Sequence, residues 1–184
     1  MIELILVAIA GLLGVQILQN KKTKTSDSPI PEVSVTERPS VPYGILFERY
    51  SSKYNVPIRL MVAIVDHESN FNPKAINYET KADIQKGHNV DSVGLGQILY
   101  PDTAVALDIT STKDKLMQPE YNLNLTGMLL KQLLNRYPKK TIDGFHAEAV
   151  AAYNAGSARY SNGEFVNQSY VDKVRSKWFT WRNL

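Results

Sequence analysis

The chain has 184 residues, 43% hydrophobic and 21% charged, with a net charge of +3 and no cysteine. That length supports one good core and hardly two, and the lack of Cys excludes disulfides, thiolate metal sites and a cysteine nucleophile. The basic residues are scattered and form no stripe interleaved with aromatics, so no nucleic-acid partner is expected. A mildly basic surface does suit an anionic polymer such as a bacterial cell wall.

Residues 1–18 hold an apolar run broken only by Glu3, Gln16 and glycines. The run is somewhat short of the ~20 residues that cross a bilayer comfortably. A cleaved signal peptide would need a basic start and a small-x-small site, and neither is present. A buried soluble helix is the other alternative; an uncleaved membrane anchor is the reading we prefer. Lys21, Lys22 and Lys24 follow the span and none precedes it, which by the positive-inside rule leaves the rest of the chain on the cytoplasmic side. Residues 19–42 carry Pro29, Pro31, Pro39 and Pro42 among Lys, Thr, Ser and Asp, the composition of a flexible, partly extended linker.

Residues 43–184 read as a folded domain that is almost entirely helical. Ile45, Leu46 and Tyr50 recur at helical spacing over 43–54, and a second helix follows from Pro57. Periodicity is lost over 75–93, which reads as a long loop facing a site. Further helices are expected at 101–107, opened by proline, at 119–137, at 145–153, ending near Gly156, and at 167–181. No strands are expected. His67, His88 and His146 are not spaced as ligands on one helix face, so neither a metal nor another cofactor is expected.

The 57–65 helix is the most apolar in the domain and runs into Asp66-His67-Glu68-Ser69, with Asn70-Phe71-Asn72-Pro73 as its stop. Leu60, Ile64 and Glu68 fall at i, i+4 and i+8, so the Glu68 carboxyl belongs to the face that must be buried. Desolvation and the negative end of the helix dipole both disfavour its anion. A carboxyl still protonated near neutral pH is what a general acid requires.

Three later motifs join it. Ser92-Val93-Gly94-Leu95-Gly96-Gln97 is a glycine turn that lets backbone approach a ligand and ends in an amide able to donate and accept. Ala152-Tyr153-Asn154-Ala155-Gly156 places a phenol and an amide at a helix end, and Tyr170-Val171 lies on the last helix. Each alone is more often a structural turn, a packing contact or a cap than a binding group.

In this order the four resemble the soluble lytic transglycosylases and the related goose-type lysozymes. Glu68-Ser69 stands for the family's Glu-Ser, Gly94-Leu95-Gly96-Gln97 for its Gly-Leu-Met-Gln, and the Ala-Tyr-Asn-Ala-Gly and Tyr-Val are intact. The resemblance spans about 43–174 and covers nothing before the linker. It implies a mainly α, lysozyme-like helical domain with a substrate cleft, whose substrate is the glycan strand of peptidoglycan. It further implies cleavage of the MurNAc-β-1,4-GlcNAc bond with formation of a 1,6-anhydro end. By resemblance Glu68 is the catalytic acid and then the base, Ser69 positions the acid or a sugar group, and Gln97 binds substrate. Tyr153 and Asn154 would hold the sugar and steady developing charge, and Tyr170 would line the cleft near Glu68.

Two departures stand out. Gly96 replaces the methionine, which removes a side chain from the cleft and is expected to loosen a subsite. Val166 and Asn167 occupy the places of a Glu-Thr pair that the family often has before its Tyr-Val, with Glu164 the nearest substitute. The 78–91 segment is also longer than the usual connection.

Two other readings compete. A hydrolytic lysozyme of the same fold would need an aspartate to activate water, for which Asp91 is a better candidate than Asp66 or Asp83. A non-catalytic wall-binding protein would keep the cleft without needing the acid. A tethered enzyme of this kind would sit in the membrane of a virion or in the bacterial inner membrane facing the wall. There it would serve phage genome delivery or an envelope complex and have virion or envelope proteins as partners.

Overall fold

The computed structural model describes residues 40–78 and 90–184. The expected anchor over 1–18 and all but the last three residues of the linker lie outside them, as does Asp83. Among the described residues no helix is long and apolar enough to cross a membrane.

Helix α1 (Gly44–Tyr54) buries Phe47 and Tyr50 and ends at Asn55, whose left-handed conformation turns its N–H back onto Ser51 and Ser52. Pro57 then opens α2 (Ile58–Ser69), in which every residue from Leu60 to Asp66 is buried. Such an all-round apolar helix must be wrapped by others, and α2 is the centre of the main core. The buried Asp66 is compensated from the end of the chain, by Lys177 Nζ and Trp181 Nε1, both at 2.9 Å. A buried carboxylate requires such partners, and this pair ties α2 to the C-terminal helix.

Beyond α2 the chain forms three short strands, β1 (Ile76–Tyr78), β2 (Asp91–Val93) and β3 (Ile98–Tyr100). They make an antiparallel sheet in that order, with Ile76 opposite Val93 and Val93 opposite Ile98. This differs from the expectation of a strandless domain: the two ends of the expected 75–93 loop are paired backbone. Three-residue strands are too short for a period-2 pattern to register. Helices α3 (Asp102–Leu107) and α4 (Lys113–Leu116) complete this lobe, whose small core of Val93, Ile98, Ala104, Leu116 and Leu125 is separate from the helical one.

The long α5 (Pro119–Arg136) serves both cores, giving Leu123 and Leu130 to the first and Leu125 to the second. Helix α6 (Ala147–Ala155) follows, then a hairpin of β4 (Tyr160–Ser161) and β5 (Glu164–Phe165). Its turn is Asn162-Gly163, both at positive φ, and Asn-Gly is the strongest short-range hairpin signal a sequence carries. The last helix, α7 (Gln168–Thr180), packs Val171, Val174 and Trp178 against α2. The six helices foreseen thus form, each within about two residues of its expected ends; α4 and the strands are additions.

Candidate active site

Glu68 lies in the last turn of α2, half-buried, with Leu60 and Ile64 fully buried beneath it on the same face. Beyond it the chain reverses through Asn70 and Phe71, both at positive φ. A phenylalanine in the left-handed region is strained, and it is held by edge-on contacts with Phe47 and Trp181. The residues that stop the helix thereby anchor the end that carries the acid.

Tyr170 on α7 donates a hydrogen bond from its hydroxyl to Glu68 Oε1 at 2.5 Å. Burial pushes the Glu68 carboxyl up to about 7, and the Tyr170 hydrogen bond pulls against that rise. Because that bond favours the anion, Tyr170→Phe should raise the pKa further. The alkaline limb of the pH–rate profile should move to higher pH, by up to about one unit. A shift to lower pH in that variant would contradict this assignment of Tyr170.

Of the turn at residues 94–97, Gln97 lines the same cleft as Glu68, and the three residues before it are buried. Gly94 has φ 79, and its N–H donates to the Ala75 carbonyl at 2.8 Å. Gln97, at φ 47, donates from Nε2 to the carbonyls of Ala75 and Gly94 at 3.1 and 2.9 Å. Both amide hydrogens are thus used on backbone, and Gln97 offers a ligand its carbonyl oxygen as an acceptor.

The turn is held from below by Asn122, a fully buried residue of α5 that the sequence reading missed. Its Nδ2 donates to the carbonyls of Val93 and Leu116, each at 2.9 Å, and its Oδ1 accepts from the Gly96 N–H at 2.8 Å. Asn122 shares a helix face with Leu125, Thr126 and Leu129, so a polar residue on an apolar stripe was the available signal.

Gly96 is buried rather than exposed to the cleft. A Cβ there would lie 2.2 Å from Thr126 Oγ1 and 2.9 Å from the Tyr153 hydroxyl. The expected loosened subsite is therefore not formed at this position: Thr126 and Tyr153 occupy the side to which a residue 96 side chain would project.

Tyr153, on α6, donates to the Gly96 carbonyl at 2.6 Å. Its hydroxyl is pushed up in pKa by burial and by the nearby Glu68, so it stays a neutral phenol. Asn154 follows it, with its side-chain oxygen accepting from Asn167 Nδ2 at 2.9 Å. Ser69 turns its hydroxyl back to the Val65 carbonyl of its own helix at 3.2 Å.

A cleft of about 580 Å³ brings Glu68, Gln97, Tyr153 and Asn154 together, with Ser92, Asp102 and Thr103 on the sheet-lobe side. Tyr170 reaches this group through Glu68, while Ser69 is not among the lining residues. Asp102 is a cleft carboxylate that the sequence reading did not single out. Of the aspartates considered for water activation, Asp91 is buried and ion-paired with Lys113, and Asp66 is held by Lys177 and Trp181. Glu164 lies exposed on β5. Among the described residues no three His, Asp or Glu side chains are grouped to hold a metal ion.

Residues 45–173 match the transglycosylase SLT domain. The chain belongs to that family. A soluble lytic murein transglycosylase of Escherichia coli strain K12 is 30% identical over 129 residues, which are 67% of this chain and 17% of that protein. The crystal structure of a 70 kDa soluble lytic transglycosylase from E. coli aligns over 76% of this chain and 19% of its own, at 25% identity and a TM-score of 0.49. A complex of the 70-kDa soluble lytic transglycosylase with bulgecin A aligns at a TM-score of 0.51 and 24% identity, over 74% of this chain and 19% of that one; this likeness concerns the fold. The chain spans less than a fifth of the length of these relatives. Within the SLT domain, Glu68, the 94–97 turn, the 152–156 motif and Tyr170 all fall inside the matched residues.

Proposed function

We propose that the protein is a peptidoglycan lytic transglycosylase that cleaves the MurNAc-β-1,4-GlcNAc bond and leaves a 1,6-anhydro-muramic end. The observation that carries this reading is Glu68, a cleft carboxyl that burial pushes up to about 7, in the motif position of the family's acid. In the first step the Glu68 proton passes to the glycosidic oxygen as the C1–O bond breaks. The electron-poor C1 then develops oxocarbenium character, and the Gln97 carbonyl oxygen and the polar groups of Tyr153 and Asn154 surround the sugar that bears it. In the second step the Glu68 carboxylate takes the proton of the muramic C6 hydroxyl as that oxygen bonds to C1. The acid is restored and no water is consumed. Tyr170 supports the anionic interval, since its hydrogen bond favours the carboxylate.

The paired-carboxylate scheme of most glycosidases needs a second acid as nucleophile or base. Asp91, the strongest such candidate from sequence, is committed to Lys113. Asp91→Asn should therefore lose some stability and leave the nature of the released ends unchanged. Release of glycan fragments by wild type and by Asp91→Asn, with none from Glu68→Gln, supports the reading; fragments from Glu68→Gln overturn it.

The composition of residues 1–42 supports an enzyme tethered by a membrane span and working at the end of a linker. We infer that it opens the wall locally, from a virion membrane during phage genome delivery or from the inner membrane within an envelope complex. The lysines that follow the span favour the virion, because insertion would leave the domain inside the producing cell until packaging. Finding the protein only in uninfected envelope fractions would reject the virion.

A further inference from the structure

Asn167 is the residue before α7 and stands where the family often has threonine. Its Nδ2 makes two hydrogen bonds, to the Ala151 carbonyl at 3.0 Å and to Asn154 Oδ1 at 2.9 Å. The first fixes which end of the Asn167 amide is which, because a backbone carbonyl can only accept. The second then fixes Asn154, whose oxygen must be the atom that meets Asn167. Asn167 Oδ1 is buried with no partner. Turning the amide over would set oxygen against two oxygens and leave an amino group in the place where nothing accepts.

Asn154 lines the cleft. With its oxygen held by Asn167, the group it has left is its amino group, a donor only. We propose that Asn167 is a positioning residue that locks the Asn154 carboxamide so that the cleft presents an N–H donor to an acceptor oxygen of the glycan. The proposal rests on the reading of the cleft as a glycan-cleaving site. Asn154 alone would be ambidextrous, since carboxamide oxygen and nitrogen are of similar size and a half-turn exchanges them. Asn167 removes that ambiguity from outside the cleft.

The full chain carrying Asn167→Asp tests this. The introduced carboxylate accepts and does not donate, so Asn154 turns to give its amino group to that carboxylate and presents oxygen to the substrate. Leaving a recognition hydrogen bond unmade and an oxygen facing an oxygen should lower kcat/KM by about 30- to 100-fold. Asn167→Ala frees Asn154 to sample both orientations and should cost less, about 5- to 10-fold. Asn167→Asp also sets an oxygen against the Ala151 carbonyl, so a merely structural role would make the losses track the falls in Tm and persist in the Asn154→Ala background. In an Asn154→Ala background Asn167→Asp should change kcat/KM by less than about twofold, because nothing is left to orient. An undiminished loss there would mean that the role is structural or that the new charge acts directly on Glu68, and would overturn the proposal.

A second measurement does not depend on turnover. In the free protein the Asn154 side-chain amino protons should exchange rapidly with water, and in Asn167→Asp they should become protected. Protection already present in the wild type overturns the proposal. Wild type that releases no glycan while showing the expected exchange pattern would separate failure of the functional reading from failure of this one.

Discussion

Glu68→Gln is expected to abolish glycan release and, at alkaline pH, to make the fold more stable. The loss should be roughly a thousandfold or more, because the same carboxyl delivers and recovers the proton. The gain in stability follows from linkage. Burial raises the folded-state pKa from 4.5 to about 7, so on raising the pH the unfolded chain releases this proton first. Stability contributed by the protonated group is complete below about 4.5 and is lost as pH rises to about 7 and beyond. At 1.36 kcal/mol per pH unit, a displacement from 4.5 to about 7 is worth roughly 3 kcal/mol. Glutamine resembles the neutral acid at every pH, and its carbonyl can still accept from Tyr170. Its Tm should therefore exceed that of wild type at pH 8 and match it at pH 4. Equal Tm at both pH values would mean that Glu68 is solvated, with no elevated pKa to support the role of acid.

Gly94→Ala should destabilise the domain by several kcal/mol and remove activity even where the fold persists. Two costs combine at this position. Its φ of 79 lies in the left-handed region, where a non-glycine residue costs about 1–2 kcal/mol. The added Cβ would also sit 2.2 Å from the Leu116 carbonyl and 2.3 Å from Asn122 Nδ2. Asn122 cannot yield without breaking the buried bonds it makes to Val93, Leu116 and Gly96, each unsatisfied group costing about 1–3 kcal/mol. Gly144→Ala is the control: its φ of 85 is as unfavourable, but a Cβ there meets nothing within 4 Å. A drop in Tm several-fold larger for Gly94→Ala than for Gly144→Ala is the expected result. Equal drops would show that backbone strain alone sets the requirement and that Asn122 can move aside.

The helices and the acid were legible because their signals are local or periodic. Leu60, Ile64 and Glu68 lie eight residues apart along one face, and that spacing alone aimed the carboxyl inward. The strands carried no comparable signal: Ile76-Asn77-Tyr78 and Ile98-Leu99-Tyr100 are shorter than any window in which alternation can be recognised. Asn162-Gly163 did carry a hairpin signal, which the reading of the sequence as strandless passed over. At the site, motifs gave the residues and left their partners hidden. That Gln97 is reduced to an acceptor, that Gly96 is backed by Thr126 and Tyr153, and that Asp91 is committed to Lys113 are facts of three dimensions. They pair residues 22 to 57 positions apart. Asn122 was missed although its position left a local trace, a polar residue among Leu125, Thr126 and Leu129 along one face of α5.

The most direct test of the central claim is mass spectrometry of the sugar ends released when the protein digests purified peptidoglycan in ¹⁸O-labelled water. Intramolecular closure of the C6 oxygen on C1 predicts muramic ends that are one water lighter than reducing ends and carry no label. Labelled reducing ends as the primary product would contradict the account, because water and not the substrate's own hydroxyl would then have reached C1.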